Sequence, residues 1–251
     1  WSCGACVYVV QPETLLSPYD FVNQHEISVW FSVPSVVSML IKQNTLSENA
    51  FPTLRYSLFC GEALSVSTVE QWSKAASHSV IENLYGPTEL TIACSAYRWK
   101  GNESERTDLN NITPIGKVYD HLHCLILDES NNQANEGELC VAGDQKFPGY
   151  WKDSEKTRQV TFDFEVDGVL RSYYRTGDRV KLSDKGDLLY IGRMDQQIKV
   201  QGYRVELGEI EANLKKIPGV VDAVAVGQSK VGASFESIAA YLTGHNLNDW
   251  E

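Results

Sequence analysis

The segment NLYGPTE, residues 83–89, combines side chains that suit a phosphate and a divalent metal. Gly86 and the proline after it force a tight turn. Tyr85 offers a flat face to a base or sugar, Thr88 a hydroxyl to a phosphate oxygen, and Glu89 a hard oxygen ligand for Mg²⁺. An apolar run typical of a buried strand precedes the segment, and open α/β sheets bind ligands where such strands end. The alternative is a capped β-turn with a solvated glutamate.

Three further segments offer contacts of the same kind. Gly61, in FCGEA after another apolar run, would let the backbone approach a ligand closely. Asp178, in YYRTGD, can accept two hydrogen bonds from ribose hydroxyls, or it can close an Asx turn. The charged run over 192–211 is either part of a site or a solvated connector before a helix with acids in its first turn.

The elements that must position these residues begin with strands alternating with helices. Up to residue 112 this alternation predicts βαβ units and a parallel sheet. The expected strands are Ala5–Val10, Ile27–Ser32, Tyr56–Cys60 and Val80–Leu84. The expected helix starts are Ser17 as an N-cap before Pro18, Pro34, and a capping box of Ser67 and Glu70.

The pattern changes after residue 112. Short strands separated by turns over 113–194 predict a mostly antiparallel, barrel-like unit. Over 195–251 the sequence predicts a partial α+β subdomain, with a strand pair at 197–205 and a helix over Glu206–Lys216. The expected fold class is therefore α/β, with a parallel subdomain over 1–112, a β-rich subdomain and an incomplete tail.

Composition argues against two classes of partner. The chain has 33 acidic and 22 basic residues, a formal charge of -11, whereas duplex nucleic acid normally requires a basic face. No apolar run approaches the roughly 18 residues that a membrane span needs. The six cysteines are scattered, and Cys3 and Cys6 lack the second pair typical of zinc sites. These cysteines favour buried thiols in a reducing, cytoplasmic compartment.

Taken together and in this order, the segments resemble the adenylate-forming superfamily of acyl-CoA synthetases, luciferases and adenylation domains of nonribosomal peptide synthetases. The segments NLYGPTE, GELCVAG, GYWKD, YYRTGD and GRMDQQIKVQGYRVELGEIE are most similar to the amino-acid-activating branch. The FCGE segment is similar to the D-alanine–carrier-protein ligases within that branch. The resemblance implies that an amino acid and MgATP form an aminoacyl-adenylate with release of pyrophosphate. The aminoacyl group then passes to the phosphopantetheine thiol of a carrier protein.

The resemblance also implies roles for individual residues. Glu89 is expected to bind Mg²⁺, and Lys199 to lie on a loop that faces the site during thioester formation. Asp178 and Arg193 are expected to bind the ribose, and Asp195 matches the hinge of the mobile C-terminal domain. The expected catalytic residues are Thr88, Glu89 and Lys199. The other expected nucleotide contacts are Gly61, Glu62, Ala63, Asn83, Tyr85, Gly86 and, on the α-phosphate, Thr88.

The same resemblance assigns six residues to a side-chain pocket. They are Ser32, Leu58, Cys60, Leu84, Ile92 and Ala93. Because none of the six is charged, we expect a small or medium uncharged amino acid, since a charged substrate would need a buried partner. Plain core packing is the alternative for each of them.

Two parts of the family pattern are missing from the sequence. One is an upstream phosphate loop with an acidic segment for the substrate amino group, and the other is a C-terminal Gly-Lys segment. The chain is therefore expected to be a C-terminal-half fragment. The alternatives are an acyl-CoA synthetase, whose acceptor is free coenzyme A, and a non-catalytic relative that binds a nucleotide or a carrier protein. The intact GPTE, TGD and GRMDQ segments favour the enzyme.

We expect the isolated 251-residue chain to be inactive or nearly so. The missing lysine would neutralise the substrate carboxylate and the developing phosphate charge, and losing one such group commonly lowers the rate by about 10²–10³-fold. ATP–pyrophosphate exchange with a panel of amino acids measures this activity. Robust turnover by the isolated chain would refute the expectation.

Overall fold

The first sheet contains three of the four parallel strands that the sequence predicts. The structure is a computed structural model, and it describes residues 4–11, 14, 17–101, 108–195, 197–200, 202–228 and 237–245. The strands of this sheet are β1 (Val29–Ser32), β2 (Tyr56–Phe59), β3 (Val80–Tyr85), β4 (Ser95–Arg98) and β5 (Lys117–Val118). They are ordered β1-β2-β3-β4-β5, with the first three parallel and the last two antiparallel to their neighbours. The carboxyl ends of β2 and β3 therefore lie at one edge.

Three helices connect and cover the parallel strands. They are α1 (Tyr19–Gln24), α2 (Pro34–Lys42) and α3 (Val66–Ala75). On α3, Trp72 is fully buried, and its ring centroid lies 5.1 Å from that of Phe51 and 5.3 Å from that of Trp30. Phe59, at the end of β2, meets the same indole edge-on at 5.6 Å. This aromatic core fixes the strand end from which the FCGE segment departs. No helix among the described residues has the length and apolar character to cross a membrane.

The predicted strand Ala5–Val10 is wrong. These residues form no strand, and Val7 and Val9 are 60% and 77% exposed. A strand needs a neighbouring backbone to complete its hydrogen bonds, which an apolar run does not supply by itself. Among the described residues, β1 at the end of the sheet pairs only with β2. Cys6 is free and exposed, and Cys3 lies outside the described residues.

Two helix starts differ from the predicted caps. The N-cap of α1 is Pro18 rather than Ser17, and no side chain caps this helix. The N-cap of α3 is Ser65, whose hydroxyl oxygen accepts the backbone N–H of Thr68 at 3.1 Å. Ser67, the predicted cap, lies within the first turn because the helix begins one residue earlier. The residue that caps the start of α3 is thus Ser65, two residues before the predicted Ser67.

A second, antiparallel sheet follows, as the sequence predicts. Its strands are β6 (His123–Leu127), β7 (Glu136–Ala142), β8 (Thr161–Val166), β9 (Val169–Leu182) and β10 (Leu188–Arg193). A short helix, α4 (Ser154–Val160), precedes β8. The strand order is β10-β9-β7-β6, and β8 pairs with the first part of β9. Neither α4 nor the β8–β9 hairpin was predicted from the sequence.

The longest strand, β9, carries a regular alternation of buried side chains. Tyr174, Thr176, Asp178 and Val180 are buried, and the residues between them are less so. The Thr176 hydroxyl donates to the carbonyl of Leu139 on β7 at 2.7 Å, which holds the register at this point. Asp178 therefore faces the interior because of its place in the alternation.

Backbone hydrogen bonds join the two sheets. The N–H of Leu188 donates to the carbonyl of Gly116 at 2.7 Å. Gly116 has φ +75°, and a Cβ there would lie 1.9 Å from the carbonyl oxygen of Ala96, so only glycine fits. Both sheets contribute side chains to the apolar core of the junction. These include Tyr85, Leu90, Leu139, Tyr174 and Val180. The end of β3 consequently faces the middle of β9.

The tail has the predicted α+β elements. Its strands are β11 (Gln197–Val200), β12 (Tyr203–Glu206), β13 (Val220–Gln228) and β14 (Ser237–Gly244), and its helix is α5 (Leu207–Leu214). β11 and β12 form an antiparallel hairpin, and β13 pairs with β14 in the same sense. Gly202, in the hairpin turn, has φ +83°. The fold class is confirmed, and the boundaries at 112 and 194 stay predictions.

Replacing Ser65 by alanine is expected to lower the free energy of unfolding by about 1 kcal/mol, because the N-cap of α3 is lost. The matched control Ser67→Ala is expected to change it by less than about 0.5 kcal/mol. Chemical denaturation of the full-length protein measures both values. A larger decrease in the free energy of unfolding for Ser67→Ala than for Ser65→Ala would show that Ser67 caps the helix.

Candidate functional site

The side chains of Tyr85 and Asp178 meet at the junction of the two sheets. Tyr85, the last residue of β3, donates its hydroxyl hydrogen bond to Oδ2 of Asp178 on β9. Tyr85 is 8% exposed and Asp178 is 6% exposed. The fold, rather than the local chain, brings the NLYGPTE and YYRTGD segments together.

Arg193 completes this junction from the end of β10. Its Nη1 donates to Oδ1 of Asp178 at 3.1 Å and to the carbonyl of Thr176 at 2.6 Å. Its Nε donates to Oδ1 of Asp195 at 2.9 Å, and its Nη2 contacts the other oxygen. Burial alone would lower the pKa of Arg193, but the hydrogen bond to Asp195 and the charge of Asp178 outweigh it and raise the pKa. The guanidinium is therefore a fixed positive charge.

Asp178 is a desolvated carboxylate. Burial is the largest influence on it and raises its pKa above the ordinary value, although Arg193 and the Tyr85 hydroxyl act in the opposite direction. Hydrogen bonds donated to an ionised carboxylate stabilise it. Further donors, such as the hydroxyls of a ligand, would offset part of the cost of burial.

The junction opens into a cavity of about 510 Å³ between the sheets and the tail. This volume is within the range of small-molecule sites. The predicted residues that line it are Gly61, Glu62, Ala63, Asn83, Leu84, Tyr85, Gly86, Asp178, Arg193, Asp195 and Lys199. Thr88 and Glu89 do not belong to this lining, and Thr88 is exposed on a single 3₁₀ turn. The residues predicted to contact adenosine or to form the hinge therefore line one cavity. The residues predicted to act on the phosphate and the metal, Thr88 and Glu89, lie outside its lining.

The strand ends at the cavity carry partly engaged polar groups. Oε2 of Glu62 accepts the backbone N–H of Ser35 at 2.8 Å, at the start of α2. Oε1 of Glu62 is buried without a hydrogen-bond partner among the described residues. The amide nitrogen of Asn83 donates to the carbonyl of Pro114 at 2.8 Å. Glu62 thus keeps one free acceptor at the cavity, whereas the nitrogen of Asn83 is already used by the backbone.

Lys199 reaches the cavity from the tail hairpin. It lies on β11, which pairs with β12. Burial lowers the pKa of Lys199, and the negative charge of Asp178 partly offsets this effect. An ammonium group near Asp178 is thus supplied by an element different from the one that carries Arg193.

Glu89 is buried and held by two residues that the sequence analysis missed. Its Oε1 accepts the Tyr150 hydroxyl at 2.7 Å, and Arg204 donates to both oxygens at 3.1 and 3.0 Å. Burial alone would raise the pKa of Glu89, but Tyr150 and Arg204 outweigh it and lower the pKa. Tyr150 and Arg204 belong to the quoted GYWKD and GYRVE motifs, but nothing in their spacing indicates this contact.

Glu89 offers a carboxylate to a metal ion without belonging to a larger cluster of metal ligands among the described residues. Among the residues that the structure describes, no group of three or more His, Cys, Asp and Glu side chains is placed to hold a metal ion. Mg²⁺ is typically bound through one or two carboxylates together with substrate phosphates. The donor set fits such a site once Arg204 leaves the carboxylate.

The six predicted pocket residues do not share one surface. The Cys60 thiol lies 3.7 Å from the carbonyl oxygen of Ile92, so these two are neighbours. Leu84 lines the cavity. The Ser32 hydroxyl accepts the Trp30 indole N–H at 2.8 Å, and strand alternation puts Ser32 on the opposite face of the sheet from Leu58. Ile92 is exposed, and Ala93 follows it in the same turn.

Gly86 permits a close approach that the turn after β3 requires. A Cβ at this position would lie 2.7 Å from the carbonyl oxygen of Ile92 and 2.8 Å from the Cα of Ala93. The backbone N–H of Cys94 donates to the carbonyl of Tyr85 at 2.8 Å across the same gap. Gly86 therefore brings the segment after Glu89 back onto the strand end.

Comparison with known proteins gives three informative matches. The D-alanine–D-alanyl carrier protein ligase of Streptococcus agalactiae is 35% identical over 238 residues, which are 92% of this chain and 45% of that protein. The L-proline–[L-prolyl-carrier protein] ligase of Streptomyces coelicolor is 33% identical over 233 residues, 90% of this chain and 42% of that protein. The Vibrio cholerae adenylation domain AlmE, solved in complex with glycyl-adenosine-5'-phosphate, superposes with a TM-score of 0.85 at 34% identity, over 99% of this chain and 46% of that one.

These matches confirm the fold, and they show that the chain corresponds to only part of each relative. The chain spans a little under half the length of the relatives it matches. The AMP-binding enzyme family matches residues 1–151, which is more than half of the chain. The chain therefore belongs to the AMP-binding enzyme family.

Proposed function

We propose that the protein carrying this chain activates an amino acid with MgATP and transfers it to a carrier protein. The substrate carboxylate attacks the α-phosphorus, pyrophosphate leaves, and an aminoacyl-adenylate forms. The phosphopantetheine thiol of the carrier protein then attacks the acyl carbon of the adenylate, AMP leaves, and a thioester forms. The observation that carries the proposal is the buried contact between Tyr85 and Asp178 at the mouth of the cavity.

In this proposal the cavity binds the adenosine. Asp178 accepts the ribose hydroxyls, which supply the donors that its desolvated carboxylate lacks. Tyr85 packs on the nucleotide, and Arg193 reaches the ribose from the far side. Gly61 and Ala63 line the adenine side beside Glu62, whose buried Oε1 can accept a hydrogen bond from an amino group.

Phosphate chemistry is assigned to the turn after β3. Thr88 is exposed there and can donate to an α-phosphate oxygen, and Glu89 would hold Mg²⁺. The metal supplies neutralisation of the phosphate charge. Tyr150 orients the Glu89 carboxylate by a hydrogen bond that leaves lone pairs free. Lys199 brings a positive charge to the cavity from the tail, which suits the thioester-forming state.

We assign the substrate to small or medium uncharged amino acids. The predicted pocket residues carry no charge. Two of the relatives named above are ligases of D-alanine and L-proline, and the third was solved in complex with glycyl-adenosine-5'-phosphate. An acyl-CoA synthetase stays the alternative, and its acceptor would be free coenzyme A. A cytoplasmic location is part of the proposal, supported by the free cysteines of the described chain.

ATP–pyrophosphate exchange by the full-length protein tests the activation step. We expect exchange with one or a few small or medium uncharged amino acids. Replacing Asp178 by asparagine is expected to lower kcat/KM for ATP by about 10–100-fold, because a buried acceptor for ribose hydroxyls loses its charge. The matched control Asp163→Asn, on the exposed side of β8, is expected to leave exchange unchanged.

Two results would contradict the activation step. One is the absence of exchange with every amino acid in the panel. The other is an Asp178→Asn variant that retains the ATP dependence of the wild type. Exchange driven by carboxylic acids without an amino group, with transfer to free coenzyme A, would favour the acyl-CoA synthetase instead.

The ion pair between Arg204 and Glu89 leads us to expect an effect of Arg204 on the Mg²⁺ requirement. Because Arg204 occupies both carboxylate oxygens, it competes with a divalent metal for them. In an Arg204→Gln variant, the free Mg²⁺ concentration for half-maximal exchange is expected to fall by about threefold to tenfold, which is about 0.7–1.4 kcal/mol. Mg²⁺ titration of the exchange reaction at saturating ATP measures this shift.

A second arginine provides the control for this experiment. Arg179→Gln removes an exposed ion pair with Glu136 and is expected to leave the Mg²⁺ requirement unchanged. An unchanged or higher Mg²⁺ requirement in Arg204→Gln would contradict the competition.

A further inference from the structure

The turn after Glu89 contains two residues in a strained backbone conformation. Thr91 has φ +54° and Ile92 has φ +72°. Left-handed conformations are genuine outliers for β-branched residues, and the surroundings must offset the strain that each of them stores. We call this segment the Thr91–Ile92 turn. It links the 3₁₀ turn of Thr88 and Glu89 to β4.

One side chain from the turn after β7, that of Gln145, binds both ends of the Thr91–Ile92 turn. The Gln145 amide nitrogen donates to the carbonyl of Leu90 at 3.2 Å and to the carbonyl of Ala93 at 2.9 Å. The Thr91 hydroxyl donates to the backbone carbonyl of Gln145 at 2.9 Å. The Gln145 amide oxygen faces Nε2 of His121 at 2.6 Å, which fixes the direction of the amide. Gln145 thus bridges the strained residues from outside.

The Thr91–Ile92 turn carries one predicted pocket residue, Ile92, and lies against a second, Cys60, so it bounds this part of the predicted side-chain pocket. The carbonyl of Ile92 lies 3.7 Å from the Cys60 thiol and within 2.7 Å of where a Cβ on Gly86 would be. There is consequently no room for the turn to relax toward β3. If the Gln145 bridge is removed, the strained residues can relax only away from Cys60, which widens the pocket.

The chemistry of the bridge requires glutamine. Two carbonyl oxygens are bound by one primary amide nitrogen, which carries two hydrogens. Glutamate would present acceptors to acceptors, and asparagine is one methylene shorter.

We propose that Gln145 is a positioning residue that sets the amino-acid side-chain pocket through the Thr91–Ile92 turn. It contacts neither of the two residues assigned to phosphate and metal, Thr88 and Glu89, through its side chain. This inference rests on the proposed function, because the pocket is that of the amino-acid substrate. Replacing Gln145 is therefore expected to weaken the affinity for the amino acid and to leave the affinity for ATP unchanged.

The test uses the full-length protein and the amino acid that supports the fastest exchange. Gln145→Glu and Gln145→Ala are expected to raise KM for that amino acid by about fivefold to thirtyfold, with KM for ATP within about twofold of wild type. The matched control Gln133→Glu, on an exposed turn, is expected to change neither value.

A double variant tests whether the effect passes through the turn. Thr91→Gly relieves the strain because glycine adopts positive φ readily. In this background, Gln145→Ala is expected to raise KM for the amino acid less than it does in the wild type. Equal effects in both backgrounds would overturn the route through the turn.

Hydrogen exchange gives a readout that needs no turnover. The backbone N–H groups of Leu90 and Thr91 donate to the carbonyls of Pro87 and Thr88 in the preceding 3₁₀ turn, and that of Ala93 donates to the carbonyl of Thr91. In Gln145→Ala their exchange is expected to accelerate while that of α3 stays constant, which also reports that the variant is folded. Unchanged exchange at residues 90–93, or a parallel rise in both KM values, would overturn the inference. A wild type without amino-acid-dependent exchange would instead overturn the proposed function.

Discussion

The hydrogen bond between Tyr85 and Asp178 requires that the end of a parallel strand and the middle of an antiparallel one face each other at contact distance. This is possible because Gly116 lets the two sheets share backbone hydrogen bonds, and because a common apolar core fills the space between them. The cavity, the position of Arg193 and the approach of the tail all follow from this junction. A site of this kind cannot form in either sheet alone.

Two of the buried carboxylates at the site, Asp178 and Glu89, are each balanced by an arginine. Arg193 forms an ion pair with Asp178, and Arg204, on the tail hairpin, forms one with Glu89. Removing one partner of such a pair leaves an uncompensated charge, which destabilises the fold more than the pair stabilises it. Because Arg204 belongs to the tail, the charge balance at Glu89 is linked to where the tail lies. The fold and the proposed chemistry therefore use the same charges.

Much of the fold and part of the candidate site could be predicted from sequence. The alternation of strands and helices gave the parallel sheet, and the motif order gave the residues around the cavity. The apolar run Ala5–Val10 did not give a strand, because pairing depends on a partner backbone. Tyr150, Gln145 and Arg204 were missed because their contacts join segments far apart in sequence, and local periodicity carries no information on such pairs. The β8–β9 hairpin had a usable signal in the alternating TFDFEV and the Asp-Gly turn.

The alternation along β9 has a consequence for how this protein tolerates change. Successive residues of a strand face opposite sides, so removing or inserting one residue between Tyr174 and Val180 would exchange its two faces. Asp178 would then point to solvent, and an arginine would take its place in the interior. The segment can thus accept a substitution at its exposed residue Arg179, but no change in its length. Length variation should instead be confined to the hairpin tip at Asp167 and Gly168, where the ladder ends.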